Sequence, residues 1–101
     1  MKGCVSVCIG NIGVGTARVR PLGDSIIKFE RIAVRAPFRG QQVGRALMDR
    51  ALADAHQAGE SSGVLHAQSS AAAFYLKLEF TQEGSAFFEA GIPHVRMTKK
   101  L

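Results

Sequence analysis

The chain has 101 residues, enough for one hydrophobic core and too few for two independent ones, so we expect a single domain over residues 1–101. Its 47% hydrophobic and 21% charged residues exclude a disordered or fibrous protein, and no apolar run reaches membrane-spanning length. The 13 Lys and Arg against 8 Asp and Glu give a formal charge of +5, which favours phosphate-bearing partners, either a nucleotide cofactor or nucleic acid.

The two cysteines, Cys4 and Cys8, lie in the first predicted strand. Four residues of extended chain separate them by about 13 Å, which is too far for a disulfide between them. We therefore expect free thiols and a reducing, cytoplasmic location.

The first third of the chain predicts an antiparallel meander. Alternating apolar residues predict a strand over Cys4–Ile9, and Gly10-Asn11 supplies turn chemistry. Residues 13–20 form the return strand, residues 21–24 a second turn, and residues 26–34 a third strand.

From Val43 the apolar residues recur at helical spacing, and we expect this helix to end at Gly59. Residues 64–68 then form a strand, so a strand–helix–strand unit predicts a parallel pair with a right-handed crossover. Ser69 or Ser70 is expected to cap a second helix that ends at Leu78, and residues 80–88 and 94–98 form closing strands. The expected fold class is α+β, with a mixed and mostly antiparallel central sheet. The predicted buried face of the first helix comprises Val43, Leu47, Met48, Ala51, Leu52 and Ala55.

Residues 39–45 join a strand to a helix and predict a phosphate site. A helix that opens here presents unpaired N–H groups and a positive dipole end, while Gly40 and Gly44 permit close approach of an anion. Arg39 and Arg45 add positive charge. An ordinary turn with solvated arginines explains the same spacing, and spacing alone favours that simpler interpretation.

Six segments together resemble the GNAT superfamily of N-acetyltransferases, and the resemblance covers about residue 12 to the end. They are Glu30–Val34 with Arg39–Met48, Ala67–Gln68, Phe74–Tyr75, Lys77–Leu78 and Glu89–Met97. The resemblance implies acetyl-coenzyme A as cosubstrate, its pantetheine along the third strand and its pyrophosphate on the loop. The implied cofactor-binding residues are Ile32, Ala33, Val34, Arg39, Gly40, Gln41, Gln42, Val43, Gly44, Arg45 and Phe74. Gln42 occupies a position where the family pattern has glycine.

Acetyl transfer to an amine requires a base, a proton donor and a stabilised oxyanion. The resemblance implies that Tyr75 protonates the departing thiolate and that a backbone N–H near Val34 stabilises the oxyanion. Strand alternation would put Glu30 on the same face as Ile32 and Val34, beside the cofactor, which makes it the preferred base.

Each catalytic assignment has a structural alternative. Tyr75 could be a packed helix aromatic, and Glu30 could form a salt bridge with Arg31 or Arg18. His66 and His94 are alternative bases ranked below Glu30. The cysteines and histidines lack zinc spacing, so no metal is expected.

GNAT chains usually open with a strand and a helix pair, whereas this sequence starts at about the family's second strand, so we expect an N-terminally shortened form of the fold. The first strand, residues 4–9, has no charged residue and no proline to protect a sheet edge. We expect this strand to pair in a homodimer or with a helper chain.

The favoured hypothesis is an N-acetyltransferase that moves an acetyl group from acetyl-coenzyme A to a primary amine of a small molecule by direct attack. A non-catalytic acyl-coenzyme A-binding module is the alternative, and a basic nucleic-acid interaction protein is the third hypothesis.

Overall fold

The computed structural model describes residues 3–9, 12–34 and 43–101. Within these ranges no helix is long and apolar enough to cross a membrane. The described elements are β1 (Gly3–Ile9), β2 (Ile12–Gly23), β3 (Ile26–Val34), α1 (Val43–Gln57), β4 (Ser62–Gln68), a 3₁₀ turn (Ser69–Ala71), α2 (Ala72–Lys77), β5 (Thr81–Glu89) and β6 (Ile92–Lys100).

The strands form one mixed sheet in the order β1-β2-β3-β4-β6-β5. Neighbouring strands are antiparallel except β3 and β4, which are parallel and joined through α1. Such a crossover is right-handed in nearly all proteins. The expected α+β fold with a mixed, mostly antiparallel sheet is confirmed, and β1 lies at one edge of the described sheet.

Two turns are shorter than the sequence suggested. β2 continues through Pro21 to Gly23, and the turn is reduced to Asp24 and Ser25, both with positive φ. The described part of β1 extends only to Gly3, opposite Val19, and β2 continues past this point. β6 likewise begins at Ile92, which leaves Ala90 and Gly91 as the turn.

The start of α2 also differs from expectation. Neither Ser69 nor Ser70 caps the helix, because both belong to the 3₁₀ turn, and Ala71 precedes α2 without a side-chain capping bond. The 3₁₀ turn continues directly from the end of β4 and aligns the chain for the helix. The expected cap is therefore wrong, although a helix does follow.

One face of the sheet carries the core. Buried residues of β2, β3, β4 and β6 form one cluster with the apolar face of α1, which is buried as its period predicted, except that Leu52 is only partly buried. Gly15 lets α1 lie close to β2, because a Cβ there would be 3.4 Å from Cγ1 of Val43. The sheet residues of this core are Ala17, Val19, Ile27, Phe29, Leu65, Ala67, Val95 and Met97.

A lysine on β6 holds the end of α2. Nζ of Lys99 donates to the carbonyl oxygen of Leu78 at 2.8 Å and lies 3.2 Å from Oε2 of Glu79. A cation suits this place because the last carbonyls of a helix are unpaired and carry the negative dipole end. The contact fixes α2, and with it Tyr75, relative to the sheet.

Candidate active site

The strands β3 and β4 are paired at one end and separate at the other. Their parallel ladder runs from Ile26 opposite Ser62 to Phe29 opposite Leu65. Beyond it, β3 continues to Val34 beside β2, and β4 continues to Gln68 beside β6. In the described sheet, the edges of β3 and β4 that face each other beyond Phe29 and Leu65 have no strand partner.

The paired end is tightly packed at one glycine. A Cβ on Gly63 would lie 2.7 Å from Cε2 of Phe29, whose side chain is 1% exposed. Only glycine lets the ring cross β4 at this point. Phe29 is also the last residue of β3 that pairs with β4, so this close contact lies next to the point where the two strands separate.

A β-bulge lies on β3 where the strands separate. Arg18 is opposite Glu30 and Thr16 is opposite Ala33, so two residue steps on β2 match three on β3. Ile32 therefore packs against the core, whereas Glu30 stays on the opposite face beside Arg18. The expectation that Glu30 and Ile32 share a face is wrong, because simple alternation fails across a bulge.

The separation opens a cleft of about 310 Å³. Its walls come from β3, β4, the 3₁₀ turn, α2, β5 and β6, so it collects side chains that are distant in sequence. The lining residues are Ile32, His66, Ala67, Gln68, Ala71, Tyr75, Glu89 and His94.

Tyr75 forms the helix side of this cleft and is 8% exposed. Its ring lies edge-on to Phe74 and Phe80, with centroid distances of 5.0 and 5.9 Å. Burial raises the pKa of the Tyr75 hydroxyl above its ordinary value of 10.0, because the charged phenolate is poorly solvated there. The hydroxyl is therefore protonated throughout the neutral range.

Two histidines and a carboxylate occupy the opposite wall. Nδ1 of His66 lies 3.2 Å from Oε1 of Glu89, and Nε2 of His94 lies 3.6 Å from Oε2 of Glu89. Sequence reasoning ranked both histidines below Glu30 and did not single out Glu89. The available signal was hairpin register, since the turn at residues 90–91 puts Glu89 opposite Ile92, two residues from His94.

Glu30 is engaged elsewhere. Its carboxylate lies 3.3 Å from Nε of Arg20, 3.8 Å from Nε of Arg18 and 3.9 Å from Nζ of Lys28. The salt-bridge alternative thus includes the expected Arg18, together with two cations that were not anticipated. Glu30 is not among the residues that line the cleft.

The phosphate-loop residues Arg39, Gly40, Gln41 and Gln42 lie outside the described residues. Val43 is buried at the start of α1, and Arg45 is exposed, 3.8 Å from Asp49. The first described turn of α1 contains no acidic residue, so no carboxylate opposes the positive end of its dipole.

The remaining predicted cofactor residues are spread around the separation. Ala33 is exposed on β3, and the backbone of Val34 is opposite Gly15. Phe74 is 36% exposed next to Tyr75 but does not line the cleft.

Known proteins offer a comparison for three features: the sheet order, the separated β3–β4 pair and Tyr75 on α2. The family model described as an acetyltransferase (GNAT) domain matches residues 4–101. The chain belongs to the GNAT family. This membership agrees with the resemblance carried by the motifs around Glu30–Met48 and Glu89–Met97.

Individual GNAT relatives cover most of the chain. A Bacillus subtilis protein named as a candidate acetyltransferase is 40% identical over 90 residues, which are 89% of this chain and 60% of the relative. The crystal structure of a candidate N-acetyltransferase from Lactobacillus plantarum matches with a TM-score of 0.88 and 30% identity over 92% of this chain and 64% of that one. A Bacillus subtilis acetyltransferase in complex with CoA shares the fold, with a TM-score of 0.83 and 19% identity over 97% of this chain and 76% of that one. The chain thus spans 60% of the length of that first Bacillus relative.

Proposed function

We propose that this chain transfers an acetyl group from acetyl-coenzyme A to the primary amine of a small molecule by direct attack, with Tyr75 as the general acid. The observation that carries the proposal is the position of Tyr75 in a cleft at the open end of the β3–β4 pair. This cleft adjoins a strand edge that can accept an extended ligand.

Coenzyme A has two features that fit the open end. Its pantetheine amides can pair with the free backbone edge of β3 beyond Phe29, as an added strand would. Its pyrophosphate can reach the start of α1, whose first described turn contains no acidic residue. The CoA complex of the Bacillus subtilis acetyltransferase with the same fold supports this assignment.

The burial of Tyr75 suits a proton donor that must stay protonated. Because its pKa is raised above 10.0, the hydroxyl carries its proton at any physiological pH. A departing thiolate has a conjugate acid with a pKa near 8.5, so proton transfer from the phenol alone is uphill. Collapse of the tetrahedral intermediate, which expels the thiolate beside the hydroxyl, supplies the driving force.

The charge of the cleft supports a cationic amine as acceptor. Among its described lining residues, Glu89 is the carboxylate, and no lysine or arginine contributes to the wall. A carboxylate attracts an ammonium group and disfavours an anionic acceptor.

The test is a thiol-release assay with acetyl-coenzyme A and a panel of primary amines. Wild-type chain should release coenzyme A only when an amine is present, and Tyr75→Phe should be about 10²-fold slower. Isothermal calorimetry with coenzyme A serves as the control, since removing one hydroxyl should leave cofactor binding intact. An unchanged rate in Tyr75→Phe would contradict the acid assignment, and tight binding without turnover for any amine would favour the non-catalytic binding module.

We also propose that the functional form is a homodimer that pairs β1 of each copy. β1 is an edge strand of the described sheet, and an edge strand with free backbone groups favours pairing. Sedimentation should give a dimer with slow amide exchange at residues 5–9. A monomer with fast exchange there would contradict it.

A further inference from the structure

The β-strand wall of the cleft contains a cluster formed by His66, Glu89 and His94. Oε1 of Glu89 lies 3.2 Å from Nδ1 of His66, and Oε2 lies 3.6 Å from Nε2 of His94. The other ring nitrogen of His94, Nδ1, lies 2.7 Å from the carbonyl oxygen of Ile92. All three side chains line the same cleft as Tyr75.

Strand register and one aromatic ring hold the cluster together. His66 is opposite Arg96, two residues from His94, so both histidines occupy the same face of the sheet. Between them, the ring of Phe87 meets His66 edge-on at 5.0 Å and stacks on His94 at 6.2 Å. The positions of the rings are therefore set by packing as well as by polar contacts.

The partners assign the tautomer of each ring. A carbonyl oxygen and an ionised carboxylate can only accept hydrogen bonds, so Nδ1 of His94 donates to Ile92 and Nδ1 of His66 donates to Glu89. In the neutral form of each ring, Nε2 is then the nitrogen with a free lone pair. Each histidine therefore has one defined place to receive a proton.

The two rings differ in what their Nε2 atoms can reach. Nε2 of His94 faces Glu89, and its side chain is 11% exposed, so in the neutral ring its lone pair points at a carboxylate rather than into open space. The side chain of His66 is 24% exposed, and its Nδ1 is the atom that Glu89 engages. A carboxylate that holds Nδ1 while Nε2 stays free is the arrangement that orients histidine bases in hydrolases.

We propose that His66 is the general base that receives the proton of the attacking amine, with Glu89 as the positioning residue. The inference rests on the proposed acetyl transfer. The bound ammonium group first gives one proton to solvent. The neutral amine nitrogen then bonds to the thioester carbon and loses a second proton to Nε2 of His66. The carbon–sulfur bond then breaks, and the thiolate takes the proton of Tyr75. Transfer through solvent from His66 to Tyr75 restores both groups.

The charges around His66 favour this role. Glu89 stabilises the imidazolium that forms, while Arg96, the nearest cation in register, is neutralised by Glu83 at 3.2 Å. The described titratable and charged groups on this face of the packed elements, or in the cleft, are Lys28 and Glu30 of β3, Tyr75 of α2, Glu83 and Glu89 of β5, and His94 and Arg96 of β6.

The test compares His66→Gln and Glu89→Gln with His56→Gln, a matched control at an exposed position on α1. His66→Gln should lower kcat about 10²-fold and abolish the acid limb of the pH profile, whereas calorimetric binding of coenzyme A stays unchanged. Glu89→Gln should lower kcat about tenfold, because Nδ1 of His66 loses the carboxylate that orients the ring. A His66→Gln variant that retains the wild-type rate and acid limb overturns the inference.

A second measurement is independent of turnover. If wild-type chain releases no thiol with any amine, the proposed function fails, and the cluster is then tested by long-range ¹H–¹⁵N NMR of the histidine rings. The Nδ1–H tautomer of His66 should be present in the wild type and lost in Glu89→Leu, because leucine offers no hydrogen-bond acceptor. An Nε2–H tautomer of His66 in the wild type overturns the inference, whatever the activity.

Discussion

The two ends of the β3–β4 pair have opposite properties. At the closed end, residues 26–29 pair with residues 62–65 around a fully buried Phe29. At the open end, the same two strands separate and share a cleft with Tyr75, His66 and Glu89. Tight packing is concentrated where the two strands are paired, and the proposed chemistry lies where they separate.

Two carboxylates near the open end should differ clearly in their effect on activity. Glu89→Gln should lower the thiol-release rate about tenfold, because Glu89 lines the cleft and contacts both histidines. Glu30→Gln should lower it less than about threefold, because Glu30 contacts Arg18, Arg20 and Lys28 on the other side of the bulge. Steady-state kinetics of the two variants gives the ratio, and a larger loss for Glu30→Gln would restore Glu30 as the base.

At the closed end, Gly63→Ala should reduce the free energy of unfolding by about 1–3 kcal/mol, since the new Cβ would overlap the buried ring of Phe29. Urea unfolding measures this loss. The double variant Gly63→Ala/Phe29→Leu should be less destabilised than the sum of the single variants, because a shorter side chain relieves the overlap. Additive losses would show that the contact does not limit packing.

Loss of the Lys99 contact at the end of α2 should have a smaller effect on stability. Lys99→Met should lower the free energy of unfolding by about 1–2 kcal/mol, because the last carbonyl of the helix loses its charged donor. Lys100→Met, at the exposed neighbouring position, is the matched control and should change stability by less than about 0.5 kcal/mol. Equal effects in the two variants would argue that charge alone matters.

The smallest effect is a change of stability at high pH. The pKa of Tyr75 is raised in the folded chain, so the unfolded state ionises first, and stability should fall as pH rises from about 10 towards the folded pKa. Below pH 10 this contribution is fully present. Tyr75 is the only tyrosine, so tyrosinate absorbance reports its ionisation directly. Tyr75→Phe should remove this part of the loss of stability. A midpoint of the tyrosinate absorbance at or below pH 10 in the folded chain would contradict the raised pKa of Tyr75.

Much of the architecture could be predicted from the sequence because periodicity reports burial. The helical period of residues 43–55 correctly placed Leu47, Met48 and Ala51 in the core, and the resemblance led to the family. The separation of β3 from β4 could not be predicted from the pattern, because residues 26–34 look like one continuous strand. It depends on contacts such as Phe29 over Gly63, which join distant parts of the chain.

Only part of the candidate site could be predicted, because its residues also depend on contacts between distant parts of the chain. The structure places Tyr75 in the cleft, as required for the role that the resemblance implied, although that role remains a proposal. Glu30 was placed on the wrong face because a bulge leaves no mark in an alternating pattern. Glu89 was missed because its relation to His66 depends on two strand registers, β4 with β6 and β5 with β6.

The central claim is that the open end of β3 receives the pantetheine of coenzyme A. Amide hydrogen exchange with and without coenzyme A tests it most directly, with binding verified by calorimetry under the same conditions. The account predicts added protection for β4-facing amides within residues 30–34 and little change at residues 26–29. No binding, or binding that leaves residues 30–34 unprotected, would contradict it.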